Sequence, residues 1–206
     1  ISDIAADYVR ALKAIGPAHV MGLSTGGLIA QQLAAQAPEL IERLALVVTG
    51  VRLSAEGCGI GERWQALARA GQWIELYSAM SETLVTGALS KRIIRGGMRV
   101  FGRALVRPPQ DADDFIATMS AALRHDTTAL LPTLRVPTLV IGGSADPFFP
   151  TPLLRETAAL IPDAQLKVYQ GAGHGLMKRY KRRFEDDVLA FLAPASAAVA
   201  PLHVQA

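Results

Sequence analysis

The chain has 206 residues, 50% of them hydrophobic, with 21 Lys and Arg against 18 Asp and Glu for a formal charge of +3. Such a composition can bury a sizeable core, which excludes an intrinsically disordered chain, and so small a cationic excess does not imply a nucleic acid partner. Cys58 stands alone and closes no intramolecular disulfide, four scattered histidines lack zinc-site spacing, and the longest apolar stretches, 44–48 and 138–141, fall short of the roughly 20 residues of a bilayer span. The expectation is a soluble, cytoplasmic protein with no membrane partner, no metal and no cofactor.

Residues 2–15 read as a helix, with Ser2 or Asp3 as N-cap and Ile4, Val9, Leu12 and Ile15 as the apolar face, stopped by Gly16-Pro17. A short apolar strand over 18–23 leads into an Ala-, Leu- and Gln-rich helix predicted for 25–37, ahead of Pro38. The run 44–51 reads as a strand buried on both faces; 138–142 repeats that signal and 164–169 gives a third. Strands alternating with helices imply a mostly parallel sheet with crossover helices, an α/β fold. Between Ser54 and Pro132 no buried-strand signal occurs. Helical patterns carrying Trp64, Leu67, Trp73, Leu76 and Tyr77, then 115–131, predict an all-helical insertion folded over one edge of the sheet. The expected division is a core of 1–53 and 133–193, a helical cap of 54–132 and a disordered Ala/Pro-biased tail of 194–206.

Gly22-Leu23-Ser24-Thr25-Gly26-Gly27 is a G-x-S-x-G sequence at the junction of predicted strand and helix. A sharp strand-to-helix turn strains the serine and requires small residues two before and two after it, the role assigned here to Gly22 and Gly26. The Ser24 hydroxyl then stands at the C-terminal end of the strand, and the Thr25 N–H, in the first helical turn, is placed to hold an oxyanion. A serine nucleophile needs a histidine base and an acid that orients it. Asp146, in GGSADP, and His174, in GAGHG, each follow a predicted strand into a loop at its C-terminal edge, giving the order nucleophile, acid, base.

Other candidates are weaker. His19 precedes the strand leading to Ser24 and belongs at its opposite end, His125 falls in the helical insertion and His203 in the tail. Glu56, after the second strand, is the alternative acid, whereas Asp113, Asp114, Asp186 and Asp187 read as solvated helix faces. Residues 178–183 run into Glu185, Asp186 and Asp187 along one predicted helix with i,i+4 charge pairing. The segment 91–99, with Arg103 and Arg107, concentrates positive charge in the insertion; solvated charge, an anionic substrate and a membrane surface are the readings open there.

Over nearly its whole length the chain resembles the α/β-hydrolase superfamily, and within it the bacterial esterases, enol-lactonases and cofactor-free haloperoxidase-like enzymes. GLSTGG is similar to the nucleophile elbow, GGSADPFFP to the acid loop, GAGHG to the histidine loop, and LSTGGLIAQQLAAQAPELIERL to the elbow and its helix. The resemblance implies Ser24 as nucleophile, Asp146 as acid, His174 as base and Thr25 as one oxyanion donor. Complete members carry about four strands ahead of the helix preceding the elbow and an HG motif for a second oxyanion N–H; nothing here matches it, so a partial fold short by roughly 60 to 90 residues is expected, with an exposed edge at 18–23.

The implied activity is hydrolysis of a carboxylic ester or lactone, a small-molecule substrate, through an acyl-enzyme. Serine rather than aspartate at the elbow argues against dehalogenase or epoxide hydrolase chemistry. Trp64 and Phe148 head the candidates for an apolar acyl pocket, with Trp73, Tyr77 and Phe149; ordinary core packing is the other reading of each. The alternatives to hydrolysis are a non-catalytic ligand- or partner-binding module and acyl transfer to another acceptor, perhydrolase behaviour included. Oligomeric state is not encoded in any of these motifs.

Overall fold

Parallel strands placed side by side bring all their C-terminal ends to one edge, and this is the feature that assembles the site. In the computed structural model, which describes residues 1–193, four parallel strands form one sheet in the order β1 (Ala18–Leu23), β2 (Ile41–Val47), β3 (Thr138–Gly143), β4 (Gln165–Tyr169). Helix α1 (Ser2–Ile15) precedes β1, α2 (Thr25–Gln36) joins β1 to β2, and α7 (Thr151–Leu160) joins β3 to β4. Between β2 and β3 lie four helices, α3 (Ala55–Arg69), α4 (Trp73–Thr83), α5 (Ala88–Leu105) and α6 (Asp113–Leu123). After β4 come α8 (Leu176–Arg179) and α9 (Lys181–Leu192). The tail expected over 194–206 lies outside the described residues.

The two-residue period of the strands sorts the core into two layers. Leu44, Leu46 and Val140 face Leu28, Leu33 and Leu154 of α2 and α7, while Val47, Leu139, Ile141 and Tyr169 face Leu176, Val188 and Phe191 of α8 and α9. Among the described residues β1 pairs on one side alone, and Met21 and Leu23 are exposed. No helix of the described residues is long and apolar enough to cross a membrane.

Several boundaries differ from expectation. Ile1, not Ser2 or Asp3, is the N-cap of α1, and of the expected apolar face Val9 and Leu12 pack on the core together with Ala5, whereas Ile4 and Ile15 are exposed. Strand β2 begins at Ile41, where Ala18 pairs with it, and stops at Val47 because Val48 adopts a left-handed φ of 45°. The last insertion helix ends at Leu123 rather than running to 131: Thr127 N–H donates to Val51 O at 3.0 Å and turns the chain back toward the sheet. Residues 178–187 form two helices, not one, broken at Tyr180, whose hydroxyl donates to Gln170 O and whose ring packs on Tyr169. The i,i+4 pairs Lys181–Glu185 and Arg183–Asp187 do form, but Asp187 is no solvated residue: it accepts from the Tyr169 hydroxyl and pairs with Lys167 at 3.1 Å.

A buried polar hub fixes the insertion to the sheet. Gln31 of α2, fully buried, donates to Gly50 O at 3.0 Å and accepts from Thr127 Oγ1 at 2.6 Å, with His125 Nε2 at 3.4 Å. Burial pushes the His125 pKa from 6.5 down to about 4, partly opposed by Asp126. The folded state therefore binds fewer protons at this residue than the unfolded state, so its contribution is complete above pH 6.5 and is lost as pH falls toward about 4. Urea midpoints measured across that window should drop with falling pH in the native chain, and more shallowly in His125→Gln.

Candidate active site

The serine lies where β1 hands the chain to α2. Ser24 adopts φ 51° and ψ −119°, a left-handed backbone unusual for a residue with a side chain. Its N–H donates to Val47 O at 2.9 Å, and its carbonyl accepts from Gly27 N and Leu28 N, so β2 and the first turn of α2 hold the strained residue from both sides. Gly22 is required by space: a Cβ there would stand 2.6 Å from Gly26 O and from Gly27 Cα. Gly26, expected to serve the same purpose, meets nothing within 4 Å, and the second close approach belongs to Gly27, where a Cβ would fall 2.2 Å from Thr49 Cγ2. Thr25 is the first residue of α2, so its N–H is among those that the helix itself leaves unpaired.

Asp146 and His174 come from the loops after β3 and β4, which leave the sheet stitched together. Ser144 N–H donates to Tyr169 O at 3.0 Å and Ala145 N–H to Ala172 O at 2.9 Å. Asp146 is buried; its Oδ1 accepts from Phe148 N at 2.9 Å, with Phe149 N at 3.4 Å, while Oδ2 lies 2.8 Å from His174 Nδ1. An ionised carboxylate only accepts, so Nδ1 carries the proton, leaving the lone pair of Nε2 facing Ser24 Oγ at 2.9 Å. The imidazole is held between rings, with Phe148 edge-on at 4.9 Å and Phe149 stacked at 6.3 Å.

Three of the residues expected from sequence, Ser24, Asp146 and His174, thus meet in one hydrogen-bonded chain. Glu56 does not join them and is exposed on α3. His19 lies at the far end of β1, beside Glu42 at 3.3 Å. His203 lies outside the described residues. Phe148 separates His174 from Trp64, whose ring is 5.4 Å from that of Phe148, and Trp73 packs against Tyr77 and Phe115 rather than against His174. Sequence reading missed Ser54, which ties α3 to the acid loop: its hydroxyl donates to Pro147 O, its N–H to Phe148 O, and it caps α3 at Gly57 N. A serine directly before a helix pattern is the signal that could have found it. Among the described residues no cluster of three or more metal-ligating side chains occurs.

The glycine at the end of β3 lies where the loops carrying Asp146 and His174 approach each other. A Cβ on Gly143 would sit 2.1 Å from Ala172 O, a backbone atom that cannot swing aside. Gly143→Ala should therefore cost about 1–3 kcal/mol, the usual range for overpacking, read as a lowered urea midpoint.

Residues 1–187 match a family model described as the alpha/beta hydrolase family. A segment of the polyketide synthase ThaQ of Burkholderia thailandensis is 32% identical, over 93% of this chain and 9% of that protein. The pimeloyl-acyl-carrier-protein methyl ester esterase of Chromobacterium violaceum is 32% identical over 89% of this chain and 72% of its own length. Among solved structures, the enol-lactonase from Burkholderia xenovorans LB400 superposes with TM-score 0.76 at 25% identity, covering 92% of this chain and 72% of that one. The chain thus spans a small fraction of the synthase and about seven tenths of the other two.

Proposed function

This chain belongs to the alpha/beta hydrolase family, and on that premise we propose that it is a serine hydrolase cleaving a small-molecule carboxylic ester or lactone through an acyl-enzyme. One observation carries the reading: Ser24 Oγ, His174 and Asp146 in a continuous chain of hydrogen bonds at 2.9 and 2.8 Å. His174 Nε2 removes the Ser24 proton as Oγ attacks the substrate carbonyl carbon, and the carbonyl electron pair moves onto oxygen. Thr25 N–H, at the positive end of α2, donates to that oxyanion. Asp146 keeps the imidazole in the tautomer that presents Nε2 and stabilises the cation it becomes. Collapse of the tetrahedral species breaks the bond to the leaving group, which takes the proton from Nε2. Water, deprotonated in turn by His174, then attacks the acyl carbon and releases the acid and Ser24.

An ester or lactone bond agrees with the activities carried in the names of the esterase and the enol-lactonase to which the chain is similar. We read 54–132 as a cap over a core of 1–53 and 133–193, with Trp64 and Phe148 toward the acyl group; the Ser54 contacts that join α3 to the acid loop support that division.

Hydrolysis of p-nitrophenyl butyrate tests the proposal. Turnover should fall by on the order of 10⁴-fold or more in Ser24→Ala and in His174→Ala, each checked for native circular dichroism. Activity retained in Ser24→Ala, or none in a folded native chain, would overturn it, the second outcome in favour of a ligand-binding module.

A further inference from the structure

Helix α5 carries a row of four exposed cations beside its packed face. Lys91, Arg95, Arg99 and Arg103, spaced four residues apart, form a stripe along one wall of a cavity of about 1030 Å³ that Met98 and Val100 also line, while Leu89, Ile93, Phe101 and Leu105 of the same helix lie exposed off the cavity. Gly102, beside that stripe, seats the helix on α4: a Cβ there would lie 2.6 Å from Ile74 Cγ2. A helix packed for stability alone turns its apolar stripe to the protein. Here Ile94, Met98 and Gly102 take that position, and the four cations run beside them although like charges four residues apart repel.

The opposite wall, from α3 and α4, adds a fifth cation, Arg63, and two carboxylates, Glu75 and Glu82. Glu82 is already engaged by Arg95, Nη2 to Oε2 at 2.6 Å and Nε to Oε1 at 3.2 Å. Among the described residues no salt bridge joins Arg63, Lys91, Arg99 or Arg103 to a carboxylate. One ring, that of Phe148, stands between the cavity lining and His174. Trp64 lines the cavity and packs on Phe148, which packs on His174. Thr83, another lining residue, has its carbonyl 4.0 Å from the Cβ position of Gly173.

We propose that this cavity receives an anionic group, a carboxylate or phosphate, carried by the ester or lactone whose carbonyl reacts at Ser24. Arg99 and Arg103 are its principal donors, because Arg95 is held by Glu82 and guanidinium groups match planar and tetrahedral oxyanions. The catalytic consequence rests on the serine-hydrolase reading; the binding does not.

Two matched ester pairs locate the anion. Mono-p-nitrophenyl glutarate against p-nitrophenyl pentanoate places it on the acyl side, and 4-butyryloxybenzoate against its methyl ester places it on the leaving group. In one pair the anionic member should show kcat/KM about tenfold higher or more, through KM, and the ratio should shrink with added salt. Arg99→Gln/Arg103→Gln should bring the ratio toward one, whereas Arg92→Gln/Arg107→Gln, with the same charge change off the cavity, should preserve it. A separate arm titrates monobutyl phosphate and glutarate monomethyl ester into Ser24→Ala by calorimetry. Saturable, salt-sensitive binding that is lost when Arg99→Gln/Arg103→Gln is added supports the site even if none of the four esters turns over, an outcome that removes only the hydrolase reading. A ratio that favours neither anion, or that survives Arg99→Gln/Arg103→Gln, overturns the proposal, as does absence of binding at millimolar ligand.

Discussion

A single backbone approach underlies the site: the Cα of Gly143, the last residue of β3, lies against the carbonyl of Ala172 with no room for a side chain between them. Gly143 is also the last residue of the β3–β4 register, paired with Tyr169. Hydrogen bonds from Ser144 and Ala145 carry that pairing past the end of the sheet. The two loops therefore travel together until Asp146 and His174 face each other, and the parallel strand β1 delivers Ser24 at the same edge. A substitution that parts the loops parts acid from base without touching either.

The buried Asp146 carboxylate is tolerable because it is used in full. Backbone N–H groups of Phe148 and Phe149 and the Nδ1–H of His174 converge on it, which is what a charge removed from water requires. The same turn that donates these N–H groups presents the Phe148 ring to the imidazole and its carbonyl to Ser54 N. The start of the helical insertion is thus bound to the acid loop. Its far end is bound to α2 through Thr127 and Gln31. One end of the insertion is anchored beside Asp146 and the other on the helix that follows Ser24.

Much of this was legible in the sequence. Runs of apolar and β-branched residues located β2 and β3 because strands buried in a parallel sheet leave no polar alternation to misread, whereas β1 and β4, which alternate in exposure, showed through shorter apolar runs bounded by turns. The G-x-S-x-G context and the two Gly-rich loops located Ser24, Asp146 and His174 in chain order. What failed is whatever depends on a third-dimension neighbour. Gly26 fits the motif, but Thr49 makes Gly27 the crowded position. Asp187 looked like one of a charged row, yet the Tyr169 hydroxyl reaches it from β4. Gln31 sits among Leu and Ala on α2 with no local mark of its hydrogen bonds to Gly50 and Thr127.

If Ser24 owes its nucleophilicity to His174 as oriented by Asp146, the rate at which a fluorophosphonate labels Ser24 reports that coupling without any knowledge of the substrate. The measurement compares the native chain with Asp146→Asn, the label being assigned by peptide mass spectrometry and the fold checked by circular dichroism. The expected result is labelling confined to Ser24, slowed by on the order of 10³- to 10⁴-fold in Asp146→Asn. Equal rates in the two proteins, or a native chain that is folded and unlabelled at Ser24, would contradict it.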